Sequence, residues 1–552
     1  MFLTIKCLFI LSYLALLCHS DTSAYHRKKL RQPRQLGDNG PVLRRAFLSV
    51  AVLGDYVYVD GGLFSVDDAK PLPLNVTLSI SLKESWSSHT LNIQEISKGR
   101  SPYLERPGLW VDQVNKSIYS WGGQGSNGND TSIDQHHLWA FKPDGRGKGN
   151  WYINDPPDVS TFNQIYPGLH GLVTTCAGVG YSLGGHGSPT SDRHFKDAVP
   201  LNGLIAYNMT SRKWDNISSE ALGYSTWAGS AACIESIGEA GLLIFLGGLK
   251  NNGLLATSSD RISFDNITIY EPTSKRWYWQ KTTGDTPDSR GTFCSVGVPG
   301  PNGTYEIYIH GGWDYWARPE HAFGDTWVLS IPAFRWFKAD AEVSKRGLHD
   351  CALIGNSQMI SVGGNDRTED LGWSKKDDWP QGVGVLDLPS MTWSNKYNAD
   401  DSKYDSPKDV KDWYDNGDET EWNDEEVKSL FAAMKPQSSD TRDEESQSPE
   451  QRLPVGGIIG GVVGGVAVII AAVGALNYIQ RRRRREAPLV PADDGNIQRA
   501  WDKAELPAVE SNKVEVVLVA SEMDVNPSHA ELPTEGTCYV NRNTTTSYEL
   551  EG

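Results

Sequence analysis

The residues best suited to chemistry sit in three short loops. Trp313-Asp-Tyr-Trp-Ala-Arg-Pro-Glu-His321 interleaves Trp313, Tyr315 and Trp316 with Asp314, Arg318 and His321. Aromatic faces of this kind stack on a sugar ring, and the charged groups between them hydrogen-bond its hydroxyls. The weightier alternative is an aromatic cluster packed against a neighbouring element. Asn365-Asp366-Arg367-Thr-Glu-Asp370, followed by Trp373 and Trp379, is a second candidate. His186, Asp192, Arg193 and His194 are a third. The binding residues expected from these patterns are Trp313, Asp314, Tyr315, Trp316, Arg318, His321, Asp366 and Arg367.

Catalytic spacings are missing. The chain has no Ser-His-Asp signature and no His-Glu-x-x-His, so no catalytic residue, metal or cofactor is expected. Cys176, Cys233, Cys294 and Cys351 each fall in a strand-like run, and no Cys-x-x-Cys spacing suggests zinc. Buried thiols filling one packing position are the first expectation for them, with two disulfides as the alternative. A net charge of −17 leaves no electrostatic footprint for nucleic acid.

The elements that would carry these loops are repeated. Apolar runs end in Gly61-Gly62, Gly122-Gly123, Gly184-Gly185, Gly247-Gly248, Gly311-Gly312 and Gly363-Gly364. A tryptophan follows each pair: Trp86, Trp151, Trp214, Trp277, Trp336 and Trp393. A period of roughly 50–60 residues marks an array of one supersecondary unit with loop insertions. Within a unit, short β-branched and aromatic runs bounded by Gly, Pro and Asn read as four strands. Small sheets of this size cannot bury their faces alone, so they must pack on one another. An all-β, six-bladed β-propeller over residues 44–398 follows, with the loop after each glycine pair on the face that also carries the connection to the next blade.

Apolar run, Gly-Gly, spaced aromatic and Trp, together with Arg346-Gly-Leu-His349, resembles the kelch motif. The resemblance covers about two thirds of the chain and implies a kelch-type propeller. It is similar in plan to membrane-anchored fungal kelch proteins, most of which have no assigned activity. Some kelch-like propellers are copper-radical carbohydrate oxidases, but no matching tyrosine, histidine and crosslinked cysteine set stands out here. The resemblance therefore implies a binding or adhesion module for a protein or cell-wall glycan, with a copper-dependent oxidase or a dimeric signalling receptor as alternatives.

The two ends set the expected compartment. Residues 1–20 read as a secretory signal peptide and 21–43 as a basic leader. Val455–Ile479 carries no charge and precedes Arg481–Arg485, which predicts one transmembrane helix over 454–480 and a cytoplasmic, disordered tail over 481–552. Plasma-membrane type I topology, with an extracellular amino-terminal part, is the expectation. Sequons at Asn75, Asn115, Asn129, Asn208, Asn216, Asn266 and Asn302 agree with it. Residues 399–453 are acidic and predict a solvated stalk, although Trp413-Tyr414, Trp422 and Leu430-Phe431 offer local packing. Gly456, Gly460 and Gly464, and Gly457, Gly461 and Gly465, carry the Gly-x-x-x-Gly spacing of a helix dimer.

Overall fold

The computed structural model of the chain describes residues 42–66, 71–126, 136–251, 260–301, 303–315, 321–367, 372–417, 419–432 and 434. The expected signal peptide, membrane span, glycine dimer motif and tail lie outside them, as do Trp316, Arg318, Asn129 and Asn302. Among the described residues no helix is long and apolar enough to cross a membrane.

The strand runs form six four-stranded antiparallel sheets, each from one contiguous stretch of chain. The first sheet orders Ser49–Leu53, Tyr56–Asp60, Val76–Ser81 and Ile93–Ser97. The sixth orders Gly347–Ile354, Gln358–Asn365, Val383–Asp387 and Thr392–Ser394. The first strands of the six sheets touch in cyclic order, and the first strand of the sixth sheet returns to that of the first. Apolar residues between neighbouring sheets make the core, such as Leu246, Ile269, Ile307 and Leu329 between the fourth and fifth.

The glycine pairs mark the point where each sheet clasps the next. Gly61 and Gly62 have φ of 74° and 87°, in the left-handed region where a Cβ is strained, and the other five pairs share this conformation. A Cβ on Gly61, Gly122, Gly184 or Gly311 would strike the carbonyl oxygen of Leu104, Gly168, Thr226 or Arg346 in the following unit. The next residue's N–H donates to that same oxygen: Gly62 to Leu104 at 2.7 Å, Gly185 to Thr226 at 2.7 Å and Gly312 to Arg346 at 2.8 Å. The repeat tryptophans lie in fourth strands and reach back to the preceding sheet. Trp151 Nε1 donates to Thr77 Oγ1 at 2.8 Å and Trp393 Nε1 to Thr326 Oγ1 at 2.9 Å.

Trp86 departs from the expected pattern. The fourth strand of the first sheet is Ile93–Ser97, and Trp86–Ser87 pairs instead with Lys396–Tyr397, beyond the sixth sheet. This ladder helps close the array, with Arg45 Nη1 donating to Gln381 O at 2.8 Å and Ser65 Oγ to Trp373 O at 2.7 Å.

Two further expectations are corrected. The four cysteines are not free thiols: Cys176 bonds Cys233 and Cys294 bonds Cys351. Each bond joins the first strands of adjacent sheets, where the Cα atoms stand 5.5 Å apart, inside the usual bridging range. The acidic stretch is not a solvated stalk over its first part. Helix α1, Lys408–Asp415, buries Val410, and Tyr414 exchanges hydrogen bonds with Ser330 Oγ and the Ala333 N–H, both at 3.1 Å. Helix α2, Glu425–Leu430, is capped by Asp424 and buries Val427, with Phe431 set edge-on against Phe334 at 5.1 Å. The apolar residues of this strap outweigh its charge because they lie on one side and find the fifth sheet there.

Candidate functional site

At the head of each first strand the backbone turns left-handed, at Phe47, Arg106, His170, Ala228, Thr292 and Leu348. These six residues meet where the sheets converge and link by their backbones. Arg106 donates to Phe47 O at 2.7 Å, Ala228 to His170 O at 2.9 Å and Thr292 to Ala228 O at 2.7 Å. Leu348 donates to Thr292 O at 3.0 Å and Phe47 to Leu348 O at 2.9 Å. Backbone in this conformation costs each non-glycine residue about 1–2 kcal/mol, which the links offset. They leave the side chains of Arg106, His170 and Phe47 half-buried at the hub.

The loops after the glycine pairs close over this hub. Trp227 has ring neighbours in His170 at 5.6 Å, His186 at 5.5 Å and Tyr315 at 5.5 Å. Trp313 lies 5.9 Å from Tyr315, and its indole N–H donates to Asn365 O at 3.3 Å. Arg367 donates to the carbonyls of Asp314 and Tyr315, with its guanidinium over both Trp313 and Tyr315. Arg261 pairs with Asp314. Phe47 stacks on Trp373 at 6.4 Å.

The structure thus joins the first two candidate loops and sorts their members. Trp313, Asp314, Tyr315 and Arg367 form one cluster. Trp313 is only 5% exposed, so the packing reading holds for it, while Tyr315 stays half-buried at the rim. His321 packs edge-on against Phe323, and Asp366 faces Lys375 at 3.7 Å. Trp379 packs instead in a triangle of rings with His310 at 5.9 Å and Trp393 at 4.9 Å. The third candidate divides. His186 belongs to the hub, whereas Asp192 accepts from His194 Nδ1 at 2.6 Å and faces His136, and Arg193 is exposed.

Arg106, His170, Trp227 and Asp350 are hub residues that no sequence motif marks. Their signal is register: Arg106 and His170 occupy the same repeat position, two residues ahead of a first strand. Electrostatics give the hub a simple character. Burial, then Arg106, then His186 hold the His170 imidazole well below the ordinary histidine range, and burial lowers His186 to about 4. Both are neutral at pH 7. Burial raises the Asp350 carboxyl to about 6 against the opposing pull of N–H donors from Val50 and Cys351 and of Arg106. Burial lowers the Arg106 guanidinium from its ordinary range against the pull of Tyr315 and Asp350, and its Nη1 has no hydrogen-bond partner among the described residues. The hub brings a guanidinium together with the rings of His170, Trp227 and Tyr315. Such a combination suits a carboxylate or an aromatic side chain.

No family model matches the chain. It is 24% identical over 409 residues to a kelch repeat-containing protein of Arthroderma benhamiae, an alignment covering 66% of this chain and 58% of that protein. It is 27% identical over 274 residues to a host cell factor of Drosophila melanogaster, covering 45% of this chain and 17% of that one. The alignments thus span little more than half of the first relative and about a sixth of the second.

Proposed function

Because the chain belongs to the kelch-repeat family, we propose that its six sheets are the blades of one propeller and that this propeller is a protein-binding module, with its ligand seated at the hub. The carrying observation is the Arg106 guanidinium at the hub, near Tyr315 and Asp350, with its buried Nη1 lacking a hydrogen-bond partner among the described residues. A ligand whose acidic side chain enters the hub and displaces what covers Arg106 satisfies it. A protein partner fits better than a cell-wall glycan, because Trp313 is packed and the Asp314 and Tyr315 carbonyls already serve Arg367. The test is selection of a displayed random-peptide library on the immobilised protein, followed by affinity measurement. Peptides recovered on the parent should bind Arg106→Ala and Trp227→Ala at least tenfold more weakly. Binders indifferent to both substitutions would overturn the assignment.

The type I membrane topology belongs to the same proposal. Two disulfides fit an oxidising compartment. Asn115, Asn216 and Asn266 are exposed and open to glycosylation, while Asn75 and Asn208 are half-buried. Treatment of intact cells with a protease and of extracts with an N-glycosidase checks this. A protected, unglycosylated chain would refute it.

A further inference from the structure

The Cys294–Cys351 bond has neighbours that the Cys176–Cys233 bond lacks. Cys294 stands opposite His310 in the fifth sheet, and Cys351 follows His349 by two residues along the first strand of the sixth. One ligand atom each from Cys294, Cys351 and His349 lies within 4.8 Å of the others. His349 is 2% exposed, and neither ring nitrogen makes a well-formed hydrogen bond, although the His310 backbone is near enough to favour its protonation slightly. His310 is fully buried, gives Nδ1 to the Asp325 carbonyl at 3.1 Å, and leaves Nε2 without a partner. The two rings are 5.3 Å apart.

Orphaned buried nitrogens are costly, and a pair of histidines flanking a pair of sulfurs in an apolar setting is unusual without a reason. A neutral imidazole has a free lone pair and is ready to ligate. The bonded sulfurs are not, since only thiolates bind a metal well. Around Cys176 and Cys233 no histidine or carboxylate completes a comparable group among the described residues.

We propose that reduction converts the Cys294–Cys351 link into a zinc-type metal site, with Cys294, Cys351 and His349 as its protein ligands and the His310 ring beside them. The chemistry balances with a dithiol as reductant. The dithiol supplies two electrons and two protons, the Cys294–Cys351 bond breaks, and the dithiol closes to its own disulfide. The divalent ion then displaces the two thiol protons to solvent and takes the thiolates and the neutral His349 imidazole. The junction between the fifth and sixth sheets is crosslinked in either state, by a covalent bond or by the ion. The other bridged junction simply opens on reduction.

Cobalt(II) tests this, because a cobalt–thiolate bond gives an intense near-ultraviolet charge-transfer band. The full chain is reduced with dithiothreitol, freed of it under argon and titrated with cobalt(II), and zinc is then added to displace the cobalt. The expected result is one zinc-displaceable cobalt per chain, unchanged in the Cys176→Ser/Cys233→Ser variant and lost in Cys294→Ser/Cys351→Ser. Histidine-to-alanine substitution at 349 should weaken binding at least tenfold and shift the visible bands. Near-ultraviolet circular dichroism on the same samples keeps loss of fold apart from loss of ligand. No thiolate band in reduced, folded protein would overturn the proposal, as would a band that survives in Cys294→Ser/Cys351→Ser or is unchanged in His349→Ala.

Discussion

Arg346 lies fully buried, with its guanidinium 3.4 Å from the centre of the Trp379 ring and its Nη2 3.1 Å from Asp377. Arg290 repeats the arrangement one unit earlier, over Phe323 and against Asp325. Removing one partner of such a pair strands a charge in the core. Asp377→Ala should therefore cost about 3–5 kcal/mol in urea unfolding. Asp215→Ala, which breaks the exposed pair with Lys275, should cost under about 1 kcal/mol. Glu306 presents the opposite case, a buried acid without a cation. Burial raises its pKa to about 7 against the hydrogen bonds that Ser330 and Ser406 donate to its Oε1. The folded state thus holds a proton that the unfolded chain releases near its ordinary value of 4.5. The stability this gives is complete below about pH 4.5 and is lost as pH rises through about 7. Unfolding free energies measured across that window should slope downward, by up to about 3 kcal/mol for this one group, and Glu306→Gln should flatten the slope.

At the scale of the element, the glycine pair has two separate demands, a left-handed backbone and an absent side chain. Two glycines of the third sheet separate them. Gly184 has φ of 63° and faces the Thr226 carbonyl, whereas Gly178 has φ of 76° and open space around its Cα. Both alanine variants should lose the about 1–2 kcal/mol of left-handed strain. Only Gly184→Ala should lose clearly more in thermal or urea unfolding, since its Cβ must displace backbone. This demand made the fold legible: the pairs recur because nothing but glycine fits, and the tryptophans after Trp86 recur because each packs a sheet on its predecessor. The hub was less legible. Arg106, His170 and Thr292 share a backbone position, but their side chains have no chemistry in common, so no motif joins them. Trp379 misled for the reverse reason, an aromatic residue near a candidate loop whose place is between two sheets. The disulfides stayed open because the 5.5 Å between neighbouring first strands is a property of the closed array and not of either strand. The strap was misjudged because average composition hides an apolar face as short as that of Val427 and Phe431.

For the molecule as a whole, closure without strand exchange is the governing feature. Every sheet is completed by its own segment, so the first and last are held together by the ladder of Trp86–Ser87 with Lys396–Tyr397 and by side-chain hydrogen bonds from Arg45, Ser65 and Gln381. The two disulfides lie at other junctions, between the third and fourth sheets and between the fifth and sixth. Each closes a sequence separation of 57 residues. Loop-closure entropy makes that worth about 4 kcal/mol per bond against the unfolded chain. Reduction without added metal should lower the denaturation midpoint accordingly, and Cys176→Ser/Cys233→Ser should show the part due to the first bond alone.

The position of those bonds also decides how the molecule behaves under mechanical load. A pull on the two ends of the array is carried first by the unbonded seam, so the ring should part there before any sheet unravels. Beyond that point the stretches from Cys176 to Cys233 and from Cys294 to Cys351 bear no tension, because the force passes across each sulfur bridge. About 190 Å of chain stays hidden in each at full extension. To a force probe the oxidised protein is a shorter tether than its residue count implies, and it lengthens in two discrete steps only after the bridges are cut.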